Sequence, residues 1–288
     1  MDSTSLPLKS LSKRYGKDRI LKGLSALSAL LGLFMLAWIL YEVILHGAKA
    51  LNWSFFTKLP TPPGMEGGGL ANAILGTGIM TVLAAILGTP IGILTGVYLA
   101  EFGGNSRWAE AIRFITNLLI GIPSIIVGVF IYILIVVPTK SFSGYAGAVS
   151  LAVIMLPVVV RTTEDMLNMV PYSLREAGLS LGAPRWKITL GVVFRAARSG
   201  LLTGVLLALA RISGETAPLL FTALNSPYWM HSLHEPTANL TVSIFNYAMS
   251  PFADWQAKAW GASLLIMVAV LLLTIFSRIL LLERKRSK

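Results

Sequence analysis

Residues 161–224 read RTTEDMLNMVPYSLREAGLSLGAPRWKITLGVVFRAARSGLLTGVLLALARISGETAPLLFTAL. A charged helix–turn–helix pattern lies here between two long apolar runs. The second run carries Arg211 and Glu215, four residues apart and therefore on one helix face. Charges at bilayer depth persist where they face protein or water, and they mark pathways by default. The charged segment before them has the make-up of a docking surface on the cytoplasmic side. The pattern is that of a pathway-forming subunit driven by something outside the bilayer.

The composition agrees with a membrane chain. Of 288 residues, 55% are hydrophobic and 13% charged, against about 25% charged in soluble domains. The net charge of +11 does not point to nucleic acid, because the basic residues bracket apolar runs instead of forming one face. The chain has no cysteine, which excludes disulfides and thiolate ligands.

Six stretches reach the roughly 20 residues a helix needs to cross a bilayer. They fall at 22–46, 71–100, 111–137, 144–165, 198–223 and 258–282. The expected organisation is a segment 1–21, a peripheral first helix 22–46, an external linker 47–70, a five-helix core 71–282 and a tail 283–288. The Pro/Gly-rich PTPPGMEGGGL at 60–70 separates the first helix from the core. Basic residues set the orientation. Lys9, Lys13, Arg14, Lys17, Arg19 and Lys22 precede the first span, Arg175, Arg185, Lys187, Arg195 and Arg198 follow the fourth, and Arg284, Lys285, Arg286 and Lys288 close the chain. The opposite side has Lys49, Lys58, Lys140 and Lys258. Both termini are expected in the cytoplasm. The first apolar run is too long for the h-region of a cleaved signal peptide, so it reads as a retained anchor.

The second span carries Gly76, Thr77, Gly78, Ala84, Ala85, Gly88, Gly92 and Gly96, small residues that let helix backbones approach closely. Pro90, Pro123, Pro157 and Pro218 lie in or near the ends of spans, where each can kink a helix.

In the charged segment, Ser173 and Glu176 have the spacing of a capping box for a first short helix. Gly182 can end that helix in the left-handed conformation, and Pro184 suits the first turn of a second. The pattern EAGLSLGAPRWKITLGVV at 176–193 resembles the EAA loop of ABC-importer permeases. Glu176, Ala177, Leu181, Gly182 and Ala183 match it, and Gly178 replaces the usual second alanine. The resemblance implies that 171–195, including Pro184 and Trp186, seats in a groove of a cytoplasmic ATPase. An amphipathic helix lying on lipid is the alternative. The chain has no G-x-x-x-x-G-K-[ST] phosphate loop, so a partner must hydrolyse the nucleotide.

Arg211 lies about 13 residues, roughly 20 Å, into its span. A lone arginine there costs about 2.5–3.5 kcal/mol on insertion scales. Glu215 can neutralise it. Arg161 and Glu164, three apart with Asp165 following, form a similar group at the cytoplasmic end of the fourth span. A guanidinium fork matches phosphate oxygens in a bidentate way, and a neighbouring carboxylate keeps the anion from being trapped. A static salt bridge between helices would use the same residues.

Four segments carry a more specific likeness: GGGLANAILGTGIMTVLAAILGTPIGILTGVYLAEF at 67–102, LLIGIPSIIVGVFIY at 118–132, LPVVVRTTEDMLNMVPYSLREAG at 156–178 and ARISGETAPLLFTAL at 210–224. They resemble the PstA family, permease subunits of the bacterial phosphate ABC importer. That resemblance implies an all-α membrane protein with six transmembrane helices in the type I, MetI-like permease fold. It implies a pathway past Arg161, Glu164 and Arg211, to which helical spacing adds Glu215. It also implies a PstC-like second permease, two copies of a PstB-like ATPase and a PstS-like phosphate-binding protein, in a bacterial inner membrane. No cofactor is implied. Sulfate, molybdate or phosphonate remain alternative cargoes on the residues alone. His231, His234 and Glu235 in the outer loop could be read as a metal cluster, though two histidines three apart on a loop more often face solvent.

Overall fold

A computed structural model describes residues 8–282; the expected segments at 1–7 and 283–288 lie outside the described residues. The chain is helical, and its only pairing of extended backbone among those residues is a bridge between Pro60 and Gly68. In chain order the helices are α1 (Leu8–Ala50), α2 (Trp53–Thr57), α3 (Ala71–Val97), α4 (Arg107–Gly121), α5 (Ser124–Ile131), α6 (Val137–Thr139), α7 (Gly144–Asn168), α8 (Tyr172–Ser180), α9 (Arg185–Ile188), α10 (Phe194–Ser213), α11 (Ala217–Thr222), α12 (Leu240–Ala248) and α13 (Ala253–Leu282). Three π-turns are inserted: Tyr98–Phe102 after α3, Tyr132–Val136 between α5 and α6, and Thr189–Val193 between α9 and α10. Among the described residues five helices are long and apolar enough to cross a membrane, and a helix pair bent by 105° makes a sixth candidate if it counts as one span.

The centre of the bundle is α3 against α7. Small residues make this possible, as the glycine-rich pattern requires. A Cβ on Gly88 would lie 3.2 Å from the Ala152 carbonyl oxygen, one on Gly92 2.8 Å from the Val159 Cβ, and one on Gly96 2.5 Å from the Thr163 Cβ. The three glycines recur every four residues, so one ridge of α3 sits down on α7 along three turns. Around this seam Met80, Ala84, Leu151, Met155, Val159, Ala208, Ile212 and Leu219 form a continuous buried core. The first helix α1 packs along α13, with Gly47 pressed on Leu264 and the His46 ring 5.1 Å from that of Trp260. Its apolar surface is otherwise uncovered.

Two expected spans are interrupted. The stretch 111–137 is not one helix: α4 and the α5–α6 helix meet at a 105° bend. Pro123 lacks an N–H and forces Ile122 into extended backbone (φ −74°, ψ 129°), which stops α4. The stretch 198–223 is also divided. Here α10 ends at Ser213 and α11 begins at Ala217, because Pro218 cannot donate to Gly214 four residues back. Beyond the break Pro218 lies so close to Gly128 of α5 that a Cβ there would be 2.6 Å from the Pro218 Cα.

The linker at 47–70 is folded. Gly69 N donates to Leu59 O and Leu70 N to Phe55 O. Lys258, an expected outer charge, is buried; its Nζ donates to Asp254 Oδ2 at 2.6 Å, to Thr61 Oγ1 at 3.2 Å and to Gly67 O. It fastens the 60–70 stretch to the start of α13.

Candidate functional site

The divided span places Arg211 in the last turn of α10 and Glu215 in the break beyond it. A cation at a helix C-terminus meets the negative end of the helix dipole, which offsets part of its cost. The two side chains stand 4.0 Å apart, an ion pair too long for a hydrogen bond. Arg211 is 48% exposed and Glu215 17%. The break itself is anchored, since Thr241 Oγ1 of α12 donates to the Glu215 carbonyl at 2.8 Å. A guanidinium held by one long ion pair leaves its planar fork available to an oxyanion.

The seam between α7 and α10 relates this group to the one at the C-terminal end of α7. Gly204 of α10 packs on Thr162, and Gly200 on Met166. Arg211 lies two turns beyond Gly204 on the same side of the helix, about 10 Å further along the bundle. Arg161 neighbours Thr162 and is itself 48% exposed. The two exposed arginines therefore stand at different depths beside one helix–helix seam.

The pairing expected of Arg161 is not the one formed. Arg161 Nε donates to Asp165 Oδ2 at 3.2 Å. Glu164 is turned into the bundle, 7% exposed, and accepts from Arg113 Nε of α4 at 2.7 Å. Arg113 also donates to Leu99 O at 3.0 Å and Gly104 O at 3.3 Å, so its fork is engaged by three groups. Spacing along α7 could not reveal this, because Arg113 is 51 residues away. Of the four expected pathway residues, Arg211, Glu215 and Arg161 present themselves along or beyond the α7–α10 seam, and Glu164 is enclosed.

The charged segment forms a helix–turn–helix with two corrections. Pro171 is the N-cap of α8 and no side chain caps it, so the Ser173–Glu176 box does not form. Ser173 lies inside the first turn, past the position from which a side chain caps. The second helix is not an isolated short one. From Arg185 it runs through α9, a π-turn and α10 as one 29-residue rod to Ser213, so the loop's second arm is the inner end of a span. Gly182 has φ +76°, the left-handed turn expected between the arms. Glu176, Ala177, Leu181, Gly182, Pro184 and Trp186 are all exposed, and Ala183 is half-buried; Leu181 is 88% exposed. Gly178 has a packing reason: a Cβ there would meet Ile188 Cγ1 at 2.9 Å. Where the loop pattern has alanine, the two arms are drawn together.

One feature carried no sequence signal. Arg175 of α8 reaches Glu101 in the π-turn after α3, with Nη2 to Oε1 at 2.5 Å and Nε to Oε1 and Oε2 at 3.1 and 3.2 Å. The remaining donors go to Val170 O at 2.7 Å and Leu167 O at 2.9 Å. Their exposures are 14% and 9%. In the loop between α11 and α12, His231, His234 and Glu235 do not assemble a metal-holding cluster among the described residues. The His234 ring stacks on Tyr145, and the Glu235 carbonyl accepts from Gly144 N.

Comparison with known proteins places this architecture. The family described as binding-protein-dependent transport system inner membrane component matches residues 88–286. The phosphate transport system permease protein PstA of Yersinia pestis is 48% identical over 277 residues, 96% of this chain and 94% of that protein. That of Haemophilus influenzae is 48% identical over 93% of this chain and 95% of its own length. PstA 1 of Mycobacterium tuberculosis is 35% identical over 84% and 81%. Among solved structures, an inward-facing MetNI methionine ABC transporter aligns with TM-score 0.62 and 24% identity over 73% of this chain and 94% of that one. A bacterial ABC transporter that imports alginate aligns with TM-score 0.65 and 13% identity over 97% and 100%. The fold is thus that of the MetI-like ABC importer permeases, a multi-pass membrane architecture, and the chain belongs to the family of binding-protein-dependent transport system inner membrane components, alongside the PstA permeases.

Proposed function

We propose that this chain is the membrane permease subunit of an ATP-driven importer of inorganic phosphate, forming half of the translocation pathway. The observation that carries it is near-half identity to phosphate permeases along almost the whole chain. The geometry supports the same cargo. A loosely paired arginine fork at a helix break is suited to a tetrahedral oxyanion, and its carboxylate neighbour favours release over trapping. Sulfate, molybdate or phosphonate would satisfy the fork too, and the relatives' names favour phosphate over them.

The assembly we infer pairs this chain with a PstC-like permease, two PstB-like ATPases and a PstS-like binding protein, with both of its termini in the cytoplasm. The pathway residues are Arg211, Glu215 and Arg161, with Glu164 acting through Arg113. ATP binding closes the ATPase dimer and displaces the loop 171–195. Because α9 and α10 are one rod, that displacement tilts the span carrying Arg211. Phosphate leaves its binding protein, passes Arg211, and is released inward after hydrolysis and reopening. Hydrolysis belongs to the ATPase subunits.

The test is co-purification with candidate partners, reconstitution into vesicles, and ATP-dependent uptake of labelled phosphate. Uptake that excess sulfate, molybdate and phosphonate leave unchanged is expected. Uptake of one of those anions in preference to phosphate overturns the cargo, and ATP-independent uptake overturns the drive.

A further inference from the structure

We propose that the enclosed Arg175–Glu101 ion pair is the joint through which the docking loop moves α3, and that Arg175 is a positioning residue for coupling. This rests on the reading of the chain as an ATP-driven phosphate permease.

Beyond the loop's own second arm, α9 and the π-turn Thr189–Val193, little else holds α8. It has no buried residue, and an exposed nine-residue helix is not stable alone. Covalently it continues α7 and leads to α9. Through space its arms meet where Gly178 abuts Ile188, a contact within the loop. The tie from α8 to α3 is Arg175. All three nitrogens of its guanidinium are bonded, to groups from separate elements: the Glu101 carboxylate beyond α3, and the Leu167 and Val170 carbonyls at and just past the end of α7. A planar fork filled in this way fixes direction as well as distance.

The other end of the joint is equally specific. Glu101 sits on the π-turn Tyr98–Phe102, and π-turns recur at functional positions in helices. The same turn is gripped from its other side by Arg113, which donates to Leu99 O and holds Glu164 of α7. Two arginines from distant parts of the chain converge on five residues. Along its length α3 is seated on α7 through Gly88, Gly92 and Gly96, so a push delivered at the π-turn is carried into a tightly packed pair of helices. The loop thus has two outputs: the continuous rod into α10, and the ion pair into α3. A loop that moved α10 alone would open the bundle against a stationary α3.

The experiment uses the full assembly in proteoliposomes, with inorganic phosphate as probe and a spin label introduced at Leu94, an exposed position on α3. Two quantities are read: phosphate taken up per ATP hydrolysed, and the change in label mobility on ATP binding. With Arg175→Gln or Glu101→Gln, ATP hydrolysis continues, phosphate per ATP falls at least tenfold, the phosphate KM is unchanged and the ATP-dependent label shift is lost. Should Arg175→Gln fail to assemble, Arg175→Lys keeps the charge without the fork and gives an intermediate ratio and a reduced shift. A wild-type ratio and a full label shift in an assembled Arg175 variant overturn the joint, as does a label that ATP never shifts in the wild type. ATP-shifted α3 in a wild type that takes up no phosphate sinks the cargo reading and leaves the joint standing.

Discussion

Two Arg–Glu pairs in this molecule use the same side chains and differ in nearly every physical respect. Arg211 and Glu215 stand 4.0 Å apart at a helix break, with the arginine 48% exposed. Arg175 and Glu101 are in bidentate contact, 14% and 9% exposed, with the spare donors taken up by two carbonyls. An arginine with every one of its three nitrogens bonded, as in Arg175 and Arg113, can pull on its partners and has little left to offer a visitor. One with an open fork can bind a visitor but holds nothing in place. Arg113 and Glu164 belong with the closed kind. On the proposed function, the contrast separates the residues that would meet cargo from those that would carry force.

The largest effect is expected at the open pair. Two charge-assisted hydrogen bonds to an oxyanion are worth about 1.5–3 kcal/mol each, so Arg211→Gln lowers phosphate uptake by roughly a hundredfold or more. The assembled complex remains, checked by co-purification. Unchanged uptake would place Arg211 with the structural arginines. Next comes the closed pair between α4 and α7. Breaking a buried ion pair strands its partner, and Glu164→Ala is expected to destabilise by about 3 kcal/mol, the low end for such pairs because Arg113 is a third exposed. Thermal unfolding in detergent reads this, and an undiminished Tm with lost uptake would return Glu164 to the pathway.

A smaller effect tests the seam on which both pairs depend. Gly92→Val forces a side chain into Val159, and overpacking of this kind costs about 1–3 kcal/mol, seen as a lowered Tm. The smallest lies in the exposed loop. Gly182 has φ +76° and open space around it, so Gly182→Ala costs about 1–2 kcal/mol from backbone strain alone. Global unfolding should hardly register it, and phosphate taken up per ATP should fall. A coupling ratio equal to wild type would show that the turn tolerates other shapes.

Apolar length marked out five helices that are long and apolar enough to cross a bilayer, and a sixth stretch that proved to be a sharply bent pair, because a bilayer demands about 20 residues in each. The small-residue spacing of Gly88, Gly92 and Gly96 marked α3 as a packing helix, and Gly182 announced its own left-handed turn. Local rules did less well where two devices compete. Pro123 and Pro218 were legible as kinks but not as full interruptions. Ser173 and Glu176 had capping-box spacing, yet Pro171 begins the helix and leaves them inside it.

The sequence by itself determined a membrane chain of about six helices, a charged loop with a fixed bend, and an arginine inside an apolar run. Each follows from neighbours along the chain or from the cost of burying a group in hydrocarbon. Only the tertiary structure decided which arginines are closed off. Arg113 meets Glu164 across 51 positions and Arg175 meets Glu101 across 74. Ion pairs of that span have no sequence period; they exist because the α3–α7 seam brings the ends of distant helices within reach of one another.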